Sequence, residues 1–180
     1  MMPRVSLIMT VRNGERYLAR SLSSLLTQSF TDVEVIVVDN GSTDATANIL
    51  ADFDDFRLKI ITVDSNLVST FASGISKALN AATGEFVAVQ DSDDISHESR
   101  IKKQVRFLED NPEVGLVGTG VEWINENGDH LYFYTPASSS AEIMQSYSCI
   151  NPLSHSSVMF RREIVHQFGG YNIAFSHACD

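Results

Sequence analysis

The sequence predicts an α/β fold: a mainly parallel sheet with helices on both faces, followed by an antiparallel C-terminal extension. In the first half, short apolar runs alternate with stretches of helical spacing, which is the pattern of strand–helix–strand units in a parallel sheet. The strongest strand pattern, residues 33–39, is apolar almost throughout, as expected of a strand buried on both faces. After Pro112 the runs become shorter and surround a turn pattern at residues 125–129, which indicates an antiparallel hairpin.

Each element of the first half has its own local signal. Leucines at helical spacing predict a first helix over residues 15–28. Gly41 favours a turn, and Ser42 or Thr43 is the expected N-cap of a second helix ending near residue 53. The remaining patterns predict strands at 5–10, 58–63 and 85–90 and helices at 69–82 and 97–110.

The last of these helices carries a cluster of basic residues. Its apolar positions, Ile101, Val105 and Leu108, would face the core. The sequence therefore predicts a solvated basic face made of Arg100, Lys102, Lys103 and Arg106. Beyond it we expect one strand over 115–124, a return strand at 131–134, a short helix opening near residue 138, a strand at 156–160 and a last helix ending at 168.

Length and composition restrict the class of protein. A chain of 180 residues is long enough for one domain. A formal charge of −10 argues against a nucleic acid partner. No apolar run reaches the roughly 18 residues of a membrane span. The start of the chain lacks signal-peptide anatomy and there are two cysteines, so a reduced, cytoplasmic setting is expected.

An acidic cluster, Asp91-Ser92-Asp93-Asp94, follows the apolar run at 85–90. Three neighbouring carboxylates repel one another, and hard oxygen ligands of this kind suit Mg²⁺ or Mn²⁺. Magnesium is typically held by one or two carboxylates together with substrate phosphates. The pattern thus suggests a metal–diphosphate site. The alternative is a solvated acidic turn that caps the next helix.

Polar residues follow two other predicted strands, at Thr10 to Asn13 and at Asp39 and Asn40. Ligands of open α/β sheets bind outside the carboxyl ends of the strands, so these groups and the acidic cluster are expected to converge. An oxygen at position 39 or 40 would accept the imide N–H of a pyrimidine or bond a ribose hydroxyl. The alternative for this pair is an Asx turn that caps a helix.

These segments together resemble the family 2 glycosyltransferases, which have a single Rossmann-like domain of the type called GT-A. The resemblance covers nearly the whole chain in order. It is carried by VSLIMTVRNGERYLARSLSSLLTQ at residues 5–28, VEVIVVDNGSTDAT at 33–46, GEFVAVQDSDDISHESRIKKQ at 84–104, NPLSHSSVMFRR at 151–162, FGGYN at 168–172 and the final Cys-Asp.

The resemblance implies roles for individual residues. Asp93 would coordinate a divalent cation, Mn²⁺ or Mg²⁺, that bridges two phosphates, and Asp91 would contact this metal or the ribose. Asp180 would be the catalytic base, and His155 would lie on the acceptor side. The nucleotide would be bound by Thr10, Arg12, Asn13, Asp39, Asn40, Asp91 and Ser92.

The implied reaction is an inverting transfer of a sugar from a nucleoside diphosphate to a hydroxyl acceptor, in a single displacement. The implied base is uracil, with thymine as the alternative because it offers the same imide donor. The acceptor would be a saccharide or a lipid-linked molecule of polysaccharide or glycoconjugate synthesis. This work would take place in the cytoplasm, at the inner face of the membrane with which the enzyme would associate peripherally.

Several positions depart from the family pattern. Arg12 stands where an aromatic residue is common, although a guanidinium also stacks on a base. Asn40 replaces an acid, Asn66-Leu67-Val68 replaces Asn-x-Gly, and Cys179 replaces a glutamate. Family domains continue past the base, so a chain ending at Asp180 is expected to be truncated and weak or inactive in transfer.

Three other functions remain as alternatives. A nucleotide-sugar binding module without turnover would share every feature up to Asp180. A nucleotidyltransferase would bring a glycine-rich, basic phosphate loop, for which Arg12-Asn13-Gly14 is too short. A phosphoacceptor receiver domain would need about 120 residues and would leave the segment from Gly169 to Asp180 unexplained.

Overall fold

The computed structural model describes residues 2–64, 70–146 and 151–173. Strands and helices alternate in its first part, within a few residues of the predicted bounds. These elements are β1 (Val5–Val11), α1 (Leu18–Leu26), β2 (Val33–Asp39), α2 (Thr46–Ala51), β3 (Leu58–Thr62), α3 (Phe71–Ala81), β4 (Phe86–Val89) and α4 (Arg100–Asp110).

The second part contains shorter elements. They are β5 (Leu116–Val117), β6 (Val121–Ile124), β7 (His130–Tyr134), α5 (Ser140–Ser146), β8 (Met159–Arg161) and α6 (Glu163–Phe168), with a 3₁₀ turn at His155–Ser157 before β8.

A six-stranded sheet organises the molecule, in the order β3-β2-β1-β4-β8-β5. Strands β1 to β4 are parallel, whereas β8 runs antiparallel to both β4 and β5. The prediction of a mainly parallel sheet with an antiparallel C-terminal extension is therefore confirmed.

Apolar side chains cover both faces of this sheet. Leu7 and Met9 of β1 belong to one cluster with leucines of α1 and α4, whereas Ile8 joins Ile75 and Leu79 of α3 on the other face. Successive residues of a strand point to opposite faces, so an uninterrupted apolar strand supplies both clusters. This explains why β1 and β2 are buried at every position.

The region from 115 to 124 differs from the prediction of one strand. Leu116 and Val117 pair with β8 in the main sheet, whereas Val121–Ile124 pairs with β7 in a separate two-stranded hairpin. Glycines at 118 and 120 flank the break. Because glycine packs no side chain and weakens strands, the chain leaves the main sheet there.

The helices found in the described ranges have at most 11 residues. None of them is both long and apolar enough to cross a membrane.

Candidate functional site

Three of the sequence-predicted segments meet at one edge of the sheet. Strand β1 pairs with β2 so that Val11 stands opposite Asp39, and the backbone N–H of Asn40 donates to Val11 O at 2.8 Å. On the other side of β1, the backbone N–H of Gln90 donates to Ile8 O at 3.1 Å. The parallel arrangement therefore places the three polar strand ends side by side, as the sequence predicted.

The loop after β1 is fastened to the loop after β2. Asn13 has a positive φ of 54° and donates its backbone N–H to Ser42 Oγ at 2.9 Å. Its own Oδ1 accepts the backbone N–H of Thr43 at 2.8 Å. The prediction of Ser42 or Thr43 as the N-cap of α2 is wrong, because Ala45 occupies that position. Ser42 Oγ is used instead to hold Asn13.

Thr10, Asp39 and Asn40 form a buried corner at this edge. Asp39 Oδ1 accepts the backbone N–H of Ser42, three residues further along, at 2.9 Å, and this contact does not cap α2. Asn40 Nδ2 donates to Thr70 O at 3.2 Å. Helix α3 approaches so closely that a Cβ on Gly74 would lie 2.3 Å from Thr10 Oγ1.

The acidic cluster forms the loop after β4. Asp91 and Ser92 are half-buried, whereas Asp93 and Asp94 are exposed. Ser21 of α1 donates its hydroxyl to Asp91 O at 2.9 Å. The loop does not cap the next helix, because α4 has Ser99 at its N-cap position.

The acidic loop also lies beside the loop after β1. A Cβ built on Gly14 would stand 3.8 Å from Ser92 Oγ, which is van der Waals contact. Arg12 is exposed in the same loop as Gly14. The structure therefore brings Arg12, Asn13 and the residues from Asp91 to Asp93 to one rim.

Arg100 is not part of the solvated basic face that the sequence predicted. It is 8% exposed, whereas Lys102, Lys103 and Arg106 are exposed. Burial lowers the pKa of its guanidinium to about 10, although the negative charges of Asp94 and Asp91 act in the opposite direction. The group therefore remains positively charged at neutral pH, beneath the acidic loop.

His155 opens the 3₁₀ turn before β8. Its Nε2 lies 2.8 Å from the hydroxyl of Tyr171, and its ring meets that of Phe71 edge-on with centroids 5.7 Å apart. Phe71 follows Thr70, which accepts the hydrogen bond from Asn40. His155 is thus connected to the corner at Asn40, whereas Asp180, Cys179 and residues 66–68 lie outside the described residues.

Comparison with known proteins identifies the family. Residues 6–169 match the sequence pattern described as glycosyl transferase family 2. The chain belongs to glycosyl transferase family 2. It is 36% identical over 173 residues to the putative glycosyltransferase EpsE of Bacillus subtilis. The aligned residues cover 94% of this chain and 60% of EpsE.

A second relative of this family 2 chain has a more specific name. It is the UDP-Glc:alpha-D-GlcNAc-diphosphoundecaprenol beta-1,3-glucosyltransferase WfgD of Escherichia coli, 32% identical over 132 residues, which cover 73% of this chain and 51% of WfgD. The chain thus spans only about half to three fifths of the length of these two relatives.

Solved structures show the same fold. Staphylococcus aureus TarS 1–349 in complex with UDP-GlcNAc superposes with a TM-score of 0.79 at 24% identity, over 98% of this chain and 51% of TarS. The mannosyltransferase PcManGT of Pyrobaculum calidifontis, in complex with GDP-Man and Mn²⁺, superposes with a TM-score of 0.69 at 21% identity, over 96% of this chain and 48% of PcManGT. These likenesses show that this family 2 chain has the GT-A fold.

The donor set of the acidic loop suits a metal that is shared with phosphates. In residues 2–64, 70–146 and 151–173, no three Asp, Glu, His or Cys side chains converge on a common metal position. Asp91 and Asp93 offer two carboxylates on a loop whose outer part is exposed. Two hard oxygen ligands are what Mg²⁺ needs when phosphates and water complete its shell. The residues present therefore fit a metal that arrives with a diphosphate.

Four buried side chains that hold the acidic loop were not predicted from the sequence: Ser21, Gln90, Ser96 and Arg100. A signal was available for Arg100. It lies four and eight residues before Gln104 and Leu108, so all three occupy one helical face. That face is buried, as these three residues show.

Proposed function

We propose that residues 1–180 form the single nucleotide-sugar-binding catalytic domain of a longer, metal-dependent and inverting glycosyltransferase. It moves a sugar from a nucleoside diphosphate, preferably UDP, to a hydroxyl group in polysaccharide or glycoconjugate synthesis. The observation that carries this proposal is the meeting of three polar strand ends at one sheet edge in a family 2 chain. Such an edge is where open α/β sheets bind nucleotides.

The corner at Asp39 would recognise the base. Its Oδ1 is committed to the backbone of Ser42, and its second carboxylate oxygen would accept the imide N–H of uracil. Thymine presents the same imide, whereas cytosine has no donor at that ring position. Asn40 and Thr10 shape the corner, and the exposed guanidinium of Arg12 would stack on the base.

The acidic loop would bind the diphosphate through a cation. Asp93, exposed at the tip, would coordinate Mn²⁺ or Mg²⁺, and Asp91 would contact the same ion or the ribose, next to Ser92. A bound divalent ion supplies Lewis-acid stabilisation of the charge that develops on the departing diphosphate. The Mn²⁺ present with PcManGT supports this assignment.

The acceptor would be activated on the opposite side of the sugar. Asp180 is proposed as the base that removes a proton from the acceptor hydroxyl, and His155 lines the acceptor side next to Phe71. Attack opposite the leaving group inverts the anomeric carbon. Proton NMR of the product made by the full-length enzyme tests this, since retention would contradict a single displacement.

The names of relatives support the substrate class. WfgD is named for a UDP-linked donor and a diphosphoundecaprenol-linked acceptor, and the TarS complex contains UDP-GlcNAc. We therefore propose a lipid-linked or saccharide acceptor, encountered in the cytoplasm at the inner face of the membrane. We propose no particular sugar, because the corner at Thr10, Asp39 and Asn40 would contact the nucleotide part of the donor.

The test is calorimetric titration of UDP into this chain with and without Mn²⁺. We expect binding that depends on Mn²⁺ and is lost in Asp93→Asn, which removes one negative charge and keeps the size of the side chain. Asp54→Asn is the matched control, because Asp54 is an exposed acid outside the edge that carries the site.

The possible results separate the functions. Equal binding of UDP and TDP with weaker binding of CDP would support recognition of the imide. Binding without any turnover by the full-length enzyme would favour the binding module. A folded protein that binds neither UDP nor TDP in the presence of Mn²⁺ would contradict the proposed donor.

A further inference from the structure

All five N–H donors of the buried Arg100 guanidinium are used. Nε donates to Gln104 Oε1 at 3.1 Å, and one terminal nitrogen donates to Gln90 Oε1 at 3.0 Å and Ser96 Oγ at 2.9 Å. The other terminal nitrogen donates to Val89 O at 2.7 Å and Val158 O at 3.2 Å. Every acceptor is neutral, so this cation is held in place by hydrogen bonds and has no directly bonded carboxylate.

These bonds hold both ends of the acidic loop. Val89 and Gln90 lie immediately before it, and Ser96 lies two residues after Asp94. Gln90 extends the contact into the loop, because its Nε2 donates to Asp94 O at 2.7 Å. The backbone positions of residues 91–94 are therefore fixed from below by Arg100 and Gln90.

The same arginine reaches the turn that carries His155. It bonds Val158 O, and its neighbour Gln104 donates to Ser157 O at 2.8 Å. Arg100 and Gln104 are both buried and one helical turn apart. One side of α4 thus connects the proposed diphosphate loop with the proposed acceptor side.

Charge adds to this connection. The loop carries three carboxylates within four residues, which repel one another. A permanent positive charge below them offsets that repulsion. The opposing effects of Asp94 and Asp91 on the guanidinium reflect the same attraction.

We propose that Arg100 is a positioning residue that sets the conformation and charge balance of the acidic loop and fixes that loop relative to the His155 turn. The part that concerns ligand binding rests on the proposed function. Arg100 would touch neither donor nor acceptor, and it would act by presenting Asp91 and Asp93 in a geometry ready for a metal–diphosphate.

The test compares Arg100→Lys with Glu34→Gln. Lysine keeps the charge but has three donors in place of the rigid five-donor fork. Glu34 is the matched control, because it is buried in its own hydrogen-bond network at the opposite edge of the sheet. Both variants are measured at a temperature where circular dichroism shows them folded.

The first readout needs no ligand. Hydrogen exchange should become faster in Arg100→Lys at residues 91–96 and 157–158, and in Glu34→Gln at residues 83–84 instead. Unchanged exchange at 91–96 in a folded Arg100→Lys protein would overturn the inference, whether or not the wild type binds a nucleotide.

The second readout is the affinity for UDP with Mn²⁺ compared with that for uridine. We expect Arg100→Lys to weaken UDP binding about 10- to 100-fold, the usual range for residues that orient metal ligands. Uridine binding, followed by NMR, should not change, and Glu34→Gln should alter neither affinity. Equal losses for uridine and UDP would overturn the inference in favour of a general structural role.

A wild-type protein that binds no UDP would count against the proposed donor alone. In that case faster exchange of residues 91–96 in Arg100→Lys would still support the positioning role.

Discussion

Two buried charges lie at opposite edges of the sheet, one at the amino ends of the parallel strands and one at their carboxyl ends. They are compensated in different ways. Glu34 lies near the start of β2 and accepts from Ser6 Oγ at 2.6 Å, Thr83 N at 2.7 Å and Lys59 Nζ at 2.6 Å. Its charge is therefore balanced by a partner cation. Arg100 lies at the carboxyl edge and bonds neutral groups, while the nearest opposing charges, on the acidic loop, are half-buried or exposed.

The two pKa values reflect this difference. Burial on its own would raise the pKa of Glu34, but the hydrogen bonds from Lys59, Ser6 and Thr83 outweigh it and lower the pKa to about 2. Burial lowers the pKa of the Arg100 guanidinium to about 10. The amino edge thus holds an ion pair that stabilises the fold, whereas at the carboxyl edge the buried guanidinium bonds only neutral groups.

Arg100→Met should have the largest effect on stability. It removes the Arg100 donor from the carbonyls of Val89 and Val158 and from the side chains of Gln90, Ser96 and Gln104. We expect the free energy of unfolding to fall by about 3–5 kcal/mol, because five hydrogen bonds from a charged donor are lost at roughly 1.5–3 kcal/mol each, and the relieved desolvation cost of the guanidinium offsets part of that loss. Urea denaturation measures this loss, and a variant as stable as the wild type would mean that these bonds contribute little.

Glu34→Gln should rank second, with a loss of roughly 1–3 kcal/mol. Glutamine keeps an oxygen that accepts from Ser6 and Thr83, but its amide group cannot pair with the Lys59 ammonium. Lys59→Ala is the control and should cost less, because the lysine side chain is 54% exposed and that of Glu34 only 5%. If Lys59→Ala lowered the free energy of unfolding more than Glu34→Gln does, the exposed cation would contribute more to stability than the buried carboxylate.

The pH dependence of this pair has a definite sign. The folded-state pKa of Glu34 is about 2, below the ordinary value of 4.5, so its contribution is fully present above pH 4.5 and is lost as the pH falls towards 2. The difference in unfolding free energy between wild type and Glu34→Gln should therefore shrink over that range. Urea titrations from pH 6 to pH 2.5 measure it, and a constant difference would contradict the assigned shift.

The strands at the centre of the sheet could be predicted from the sequence because burial on both faces makes them apolar throughout. Residues 33–39 have the predicted bounds for this reason. The buried contacts of Arg100 and the division of residues 115–124 into two strands could not be predicted in the same way. The spacing of Arg100 from Gln104 and Leu108 places it on a buried helical face, but apart from Gln104 its partners lie in β4, in the loop between β4 and α4 and at Val158 before β8.

The positions of the candidate site residues were predicted by topology, since parallel strands place their carboxyl ends at one edge. Their local contacts were not. Ser42 was expected to cap α2, but the positive φ of Asn13 directs the Asn13 backbone N–H to the Ser42 hydroxyl. Such a contact joins residues 29 positions apart, beyond the reach of any local pattern.

Gly74→Ala should have the third largest effect. Replacing a helical glycine by alanine normally stabilises a helix by up to about 1 kcal/mol. Here the new Cβ would lie 2.3 Å from Thr10 Oγ1 and 3.2 Å from Asn40 Nδ2. We therefore expect a loss of about 1–3 kcal/mol from overpacking, measured by urea denaturation, and weaker binding of UDP.

A double variant isolates this contact. Thr10→Ala removes the hydroxyl, so Gly74→Ala should cost less in that background than alone. Asn80→Ala, on the exposed side of the same helix, is the control for helix propensity. Stabilisation by Gly74→Ala would mean that α3 does not press on the corner of Thr10 and Asn40.

Asp93→Asn should have the smallest effect on stability, because the side chain is exposed and lies among other acids. We expect the free energy of unfolding to change by less than about 0.5 kcal/mol, with any change favourable since repulsion within the loop decreases. The same variant should lose the Mn²⁺-dependent binding of UDP. A large destabilisation would instead assign Asp93 to the structure of the loop. The carboxyl edge would then resemble the amino edge, with its charges used to hold the fold.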